Sequence, residues 1–153
     1  MKRFQFRLQK VLDLKLSLEN KKKDELAVLY NLLHEKKEEI RRKQIEVNLA
    51  YKSMKMELKG NVDVDRALLW VSYIDHLWNG IHILEDERRE LNLKIDKCRK
   101  ELLEIMKERK TLERLKEKQY GEYVTEADRQ ERLAVDEMAT IRYVHQKMNG
   151  RKG

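Results

Sequence analysis

Three observations predict an all-α chain, a long two-helix antiparallel coiled-coil hairpin whose C-terminal helix overhangs its partner. The 153 residues contain no proline, so no position lacks the backbone donor that a helix needs. Apolar residues recur at heptad spacing along both halves. Between the halves, Lys59-Gly60-Asn61-Val62-Asp63-Val64-Asp65 supplies the residue types that end one helix and begin another. Gly60 is able to take the left-handed conformation that closes a helix, and Asp63 to accept the free N–H groups that open the next. One coiled-coil domain over 1–153 follows, with arm one at about 4–58, the turn at about 59–65 and arm two at about 66–148.

Composition supports helices over a compact core. Charged residues make up 41% of the chain and aromatic ones 7%, and the mean hydropathy is −0.85. That leaves material for a narrow apolar seam rather than a globular interior. The formal charge of +7 is unevenly placed. Residues 1–23 carry eight Lys or Arg against Asp13 and Glu19, a net of +6, whereas residues 119–137 carry a net of −4. Opposite fields on the two arms are able to guide charged partners.

Arm one shows apolar residues at Leu8, Val11, Leu18, Leu26, Leu29, Leu33, Ile40, Val47 and Met54, with Leu26, Leu33, Ile40, Val47 and Met54 stepping by sevens. Between Leu18 and Leu26 the spacing places Lys22 in the seam with steps of four and four, which predicts local unwinding. Arm two has the cleaner register. Ile74, Leu77, Ile81, Leu84, Arg88, Leu91, Ile95, Cys98, Leu102, Ile105, Arg109 and Leu112 alternate in steps of three and four. Beyond Leu112 the same phase meets Lys116, Gln119, Tyr123, Glu126 and Gln130, as expected of a helix that has lost its partner.

Two helices of equal rise folded about Gly60-Asn61 pair residues whose numbers add to about 121. Ile40 then faces Ile81, Leu26 faces Ile95, Leu18 faces Leu102 and Leu8 faces Leu112. Arm one runs out opposite residue 117 or so. Arm two projects beyond it by roughly 30 residues, about 45 Å if helical.

From Val62 to Leu84 the pattern broadens. Leu68, Leu69, Trp70, Val71, Tyr73, Ile74, Leu77, Trp78, Ile81 and Ile83 point to more than one helix face, and a two-stranded coil buries only one. Either an extra turn or short helix folds over this end, with Gly80 as the break, or the surplus is a docking surface rich in tryptophan.

The motifs of common chemistries are missing. There is no glycine-rich phosphate loop, nucleophile elbow or Cys-x-x-Cys, so an enzyme is not expected, nor a cofactor. His76 and His82, near Asp75, Glu85 and Asp86, are six residues apart and point to different faces, which argues against a metal site. Lys21-Lys22-Lys23 and Arg41-Arg42-Lys43 are interleaved with Glu and lack an aromatic platform, so nucleic acid is not an expected partner. Cys98 is alone and occupies a seam position, where it packs as a small apolar group; a cytosolic setting suits it. Arg88 and Arg109 on the seam have stems long enough to snorkel out and fix the register. No uncharged stretch exceeds His76–Leu84, too short to span a bilayer, and Arg7 and Lys10 interrupt what would follow Met1-Lys2-Arg3 in a signal peptide.

The opening Phe4-Gln5-Phe6-Arg7-Leu8-Gln9-Lys10-Val11-Leu12-Asp13-Leu14 resembles the start of the FliJ family, small coiled-coil components of the bacterial flagellar type III export apparatus. Leu112-Glu113-Arg114-Leu115-Lys116-Glu117-Lys118-Gln119, with Tyr123 and Asp136-Glu137-Met138-Ala139, is similar to the same family's C-terminal pattern. The resemblance implies a hairpin similar to the central shaft of rotary ATPases and a non-enzymatic stalk or adaptor in flagellar export. Its implied partners are the hexameric export ATPase, the cytoplasmic part of the export gate and export chaperones. It implies a cytoplasmic place, peripheral to the inner membrane at the flagellar base. Phe4, Phe6, Arg7, Leu8, Val11, Tyr123, Asp136 and Glu137 are the candidates at the ATPase end. Tyr51, Trp70, Tyr73, Leu77, Trp78 and Ile81 are the candidates at the tip, toward the gate. The alternative is a general coiled-coil scaffold or the equivalent shaft of a virulence-type secretion system.

Overall fold

The computed structural model describes residues 2–60 and 63–151; Asn61 and Val62 of the expected turn lie outside the described residues. Two helices account for nearly all of it, α1 (Gln9–Glu57) and α2 (Val64–Arg151). No strand occurs among the described residues. The fold is the expected all-α hairpin.

Capping at the turn follows from the residues there. Leu58 N–H donates to the Met54 carbonyl at 3.0 Å, and Gly60 then takes a φ of 105°. That region is open to glycine because no Cβ meets the carbonyl. Asp63 starts α2: its carboxylate accepts the Asp65 N–H at 3.1 Å, and its carbonyl accepts that of Ala67 at 2.9 Å. The second helix thereby begins at Val64, slightly before the expected boundary.

The chain divides into two compact units. The turn unit comprises Leu18–Glu104; the terminal unit comprises the residues up to Ser17 and those from Ile105 onward. In the turn unit, Leu33, Ile40, Val47 and Ala50 of α1 and Ile74, Leu77, Ile81, Ile95 and Cys98 of α2 are buried. Val47, Ala50, Ile74, Leu77 and Ile81 form one cluster, with Met54 and Trp70 packed against it. Burying each of the Val, Ile and Leu side chains is worth about 1.5–3 kcal/mol.

Polar contacts within this unit record the register. Lys22 meets Glu101 at 2.5 Å, Lys36 meets Glu87 at 2.5 Å and Arg66 meets Glu57 at 2.9 Å. Each pair's numbers add to 123, which requires antiparallel helices in a fixed register. The Cys98 thiol, 3.7 Å from the Lys22 carbonyl, adds to 120. These pairings put the register within two residues of the expected 121. Extended charged side chains reach two or three residues further along the partner.

Lys22 is in the seam as expected, but the steps of four are corrected. Glu19, at 4% exposure, is more deeply placed than Leu18, and Glu19–Lys22–Leu26–Leu29–Leu33 keeps the regular alternation. The coil avoids local unwinding because Glu19 accepts an ion pair from Lys23 at 3.3 Å, and Lys22 is held by Glu25 and Glu101. Gly80 is corrected as well: α2 runs through it and through Gly121 without a break. A glycine in a helix costs about 1 kcal/mol relative to alanine, too little to interrupt a helix whose neighbouring turns are packed. At Gly121 the Thr125 hydroxyl also donates to the glycine carbonyl at 3.0 Å.

In the terminal unit the expected start of arm one at residue 4 is corrected to Gln9, whose N–H donates to the Phe6 carbonyl at 3.1 Å. Phe4 and Phe6 both turn toward their surroundings in this unit, and helical residues two apart would point to nearly opposite faces. A non-helical lead lets both rings be used. Leu12 is buried at 4% exposure, whereas Val11 is 41% exposed. Lys15 pairs with Glu108 in the same unit, again with numbers adding to 123.

Candidate functional site

The terminal unit holds the first candidate surface. Phe4 meets Tyr120 edge-on at 5.3 Å and Tyr123 at 5.6 Å, and the two tyrosine rings stack at 6.3 Å. The Tyr123 hydroxyl donates to the Lys2 carbonyl at 2.8 Å. Such ring pairs add about 0.5–1.5 kcal/mol each beyond burial, which holds the lead segment on α2. Pairing therefore reaches Tyr123, past the expected limit near 117. Full exposure begins only at Asp128, and 24 residues rather than about 30 continue alone, about 36 Å of helix.

Phe6, expected as a partner contact, is 7% exposed and belongs to the unit's own core. Leu8 is half-buried, whereas Arg7 and Val11 are exposed. Beside them Phe4, Gln5, Phe6, Arg7, Gln9, Lys10 and Lys116 line an open groove, basic through Arg7, Lys10 and Lys116. Gln5, Gln9, Lys10 and Lys116 were not among the expected site residues; Lys116 shares the phase of the seam, the one signal that could have placed it. Asp136 and Glu137 are not brought to this groove. They lie at least 13 residues, about 20 Å of helix, beyond Tyr123, on the exposed continuation of α2. Along that continuation Arg129 holds the Glu126 carboxyl below its usual range through hydrogen bonds at 2.7 and 3.0 Å, and Glu126 holds Arg129 above its own.

The second candidate surface lies near the turn. Tyr51, Tyr73 and Trp78 are exposed, Trp78 at 38%, and the Trp78 ring lies 6.3 Å from that of His82. Trp70 is half-buried: its indole N–H donates to Glu57 at 2.5 Å and its ring meets Tyr73 edge-on at 6.1 Å. Glu57, Arg66, Leu69, Trp70 and Tyr73 line a groove of about 450 Å³. Sequence reasoning passed over Glu57 and Arg66, whose pairing only the hairpin register makes visible.

Leu77 and Ile81, expected on this docking surface, are each 3% exposed and lie in the core cluster. The phase of α2 turns them toward α1. Leu68, Leu69 and Val71 carry the apolar surplus outward instead, at 51–70% exposure. Among the described residues no element beyond α1 and α2 covers them.

Other chemistry is sparse. Among the described residues no group of three or more His, Cys, Asp or Glu is gathered as a metal site would need. No helix among them is long and apolar enough to cross a membrane. Arg109 reaches Glu113 at 2.9 and 3.0 Å and Arg88 reaches Glu85 at 2.7 Å, each an ion pair within its own helix.

Neither the curated proteins nor the solved structures contain a match to this chain. The family model described as flagellar FliJ protein matches residues 4–148, which spans both units, and the chain belongs to that family.

Proposed function

We propose that this chain, a component of the flagellar export apparatus by its family, is a non-enzymatic stalk or adaptor. It engages the hexameric export ATPase through the terminal unit and the cytoplasmic part of the export gate through the turn unit. Contacts with export chaperones and a place on the cytoplasmic side of the inner membrane at the flagellar base belong to the same reading. The observation that supports it is the continuation of α2 from Asp128 to Arg151, helical and exposed along its whole length. A ring lumen accepts a narrow helical body, and this one carries exposed apolar and charged residues along its length.

Near the turn, the exposed Tyr73, Trp78 and Leu69 are the anchors for a gate contact, since aromatic residues with adjacent apolar neighbours dominate interface energies. Leu77 and Ile81, buried in the core cluster, are not counted among these anchors. At the terminal unit, Arg7 and Lys10 steer association, whereas exposed Val11 and half-buried Leu8 set the lifetime.

The test is co-purification with the export ATPase from the same cell, followed by ring assembly and hydrolysis measured with the full chain. A chain ending after Ala127 retains the Phe4, Tyr120 and Tyr123 contacts and should lose stimulation of hydrolysis. Full stimulation by that shortened chain would sink the assignment of this end to the ring. Arg7→Ala should slow association and reduce its salt dependence while leaving the dissociation rate near that of the parent.

A further inference from the structure

Residues 128–151 raise a question that the export reading leaves open. Helices in proteins are held mostly by packing of one face, and among the described residues this exposed stretch packs against none of its own chain. Glu131, Ala134, Met138, Ile141, His145 and Met148 recur on it in alternating steps of three and four, a heptad stripe. Met138, Ile141 and Met148 are each more than 60% exposed. Turned end for end, the stripe maps onto itself. Met138 falls opposite Ile141, Ala134 opposite His145 and Glu131 opposite Met148, every pair adding to 279.

Charge runs the same way. Residues 128–137 carry Asp128, Glu131, Asp136 and Glu137 against Arg129 and Arg132, a net of −2. Residues 138–151 carry Arg142, Lys147 and Arg151 and no acid, a net of +3. An antiparallel copy lays the acidic half along the basic half. A parallel copy gains a flanking Glu137–Arg142 pair, but stacks Glu131 on Glu131 and His145 on His145 in the seam. Antiparallel pairing also brings Arg151 of one copy beside Asp128 of the other, where burial within the terminal unit ends.

We propose that residues 128–151 are a self-association surface whose occupant is the same segment of a second copy, antiparallel and centred between Ala139 and Thr140. The proposal does not rest on the ATPase reading: a chain that binds no ATPase would still pair. Where both hold, the two occupants exclude each other, and self-pairing keeps the segment covered until a ring takes it.

The experiment uses full-length chains in which Cys98→Ala removes the native thiol. One carries Met138→Cys, the other Ile141→Cys, and they are oxidised separately and mixed. The mixture should form a disulfide-linked pair about tenfold faster than either variant with itself, because only the antiparallel layer raises the effective concentration of the two thiols. On the otherwise native chain, Ile141→Glu should abolish the dimer seen by sedimentation without changing helicity, since the side chain is exposed. Faster crosslinking of either variant with itself overturns the antiparallel register. A full chain that sediments as a monomer at every concentration up to its solubility limit overturns the proposal altogether.

Discussion

The Lys22 ammonium lies 2.5 Å from the Glu101 carboxylate, from one helix of the turn unit to the other, at a seam position where leucine would be expected. Glu25 adds a second contact at 3.0 Å from the same helix as Lys22. Partly exposed ion pairs contribute little to stability. A charged residue in a seam acts instead on register, because sliding the helices by one heptad would strand it. Lys36 with Glu87 repeats the arrangement fourteen residues on.

This pair predicts a pH dependence. The hydrogen bond from Lys22 holds the Glu101 carboxyl below the ordinary value of 4.5, so its contribution is present above that value and fades as pH falls through the lower folded value. Hydrogen bonds donated first to Glu101 and then to Glu25 hold Lys22 above 10.5, so its contribution is present below that value and fades as pH rises through the higher folded one. Melting followed by circular dichroism should show a shallower acid limb in Glu101→Gln than in the parent. Parallel acid limbs would mean that the pair does not couple to folding.

Register is open to a direct test. With Cys98→Ala in place, Leu26→Cys combined with Ile95→Cys should crosslink within one chain, because the two positions add to 121 and face each other over the seam. Products linked only between chains would rule out the hairpin pairing.

The glycines separate backbone strain from helix propensity. Gly60→Ala should destabilise by about 1–2 kcal/mol, since its φ of 105° crowds a Cβ against the carbonyl. Gly80→Ala and Gly121→Ala should each stabilise by up to about 1 kcal/mol, because both are helical and an added Cβ meets nothing within 4 Å. Urea unfolding gives both signs. A loss at Gly80 would point to a contact on that face that the helix pair does not make.

Burial near the turn divides neighbours. Leu77→Ala should lower stability by about 2–5 kcal/mol as a cavity opens in the core cluster. Trp78→Ala should cost less than half as much, and should weaken binding to the export gate by at least about 1 kcal/mol. Unfolding curves and binding isotherms on the same proteins decide it. Equal destabilisation by both would return Trp78 to the fold.

Much of this was readable in the chain. The alternation from Ile74 to Leu112 set the buried face of α2, and Gly60 with Asp63 placed the turn, since helix ends and seams depend on local residue types and spacing. The candidate sites were less readable. Phe6, Leu77 and Ile81 have the composition of interface anchors, but anchors and core residues share the same chemistry, and only the packing tells which face is already covered.

The sequence by itself determined a two-helix hairpin, its pairing near 121 and an unpaired C-terminal continuation, because the heptad period and a single glycine-capped break leave few other ways to bury the seam. Tertiary structure decided where the pairing ends and what remains exposed. Phe4 leaves the helix to reach Tyr120 and Tyr123, Glu19 rather than Leu18 enters the seam, and α2 passes through Gly80 and Gly121. These outcomes turn on competition between ring packing, ion pairing and helix propensity, each worth about a kilocalorie. Differences that small are settled by which atoms meet, and spacing along a chain does not report that.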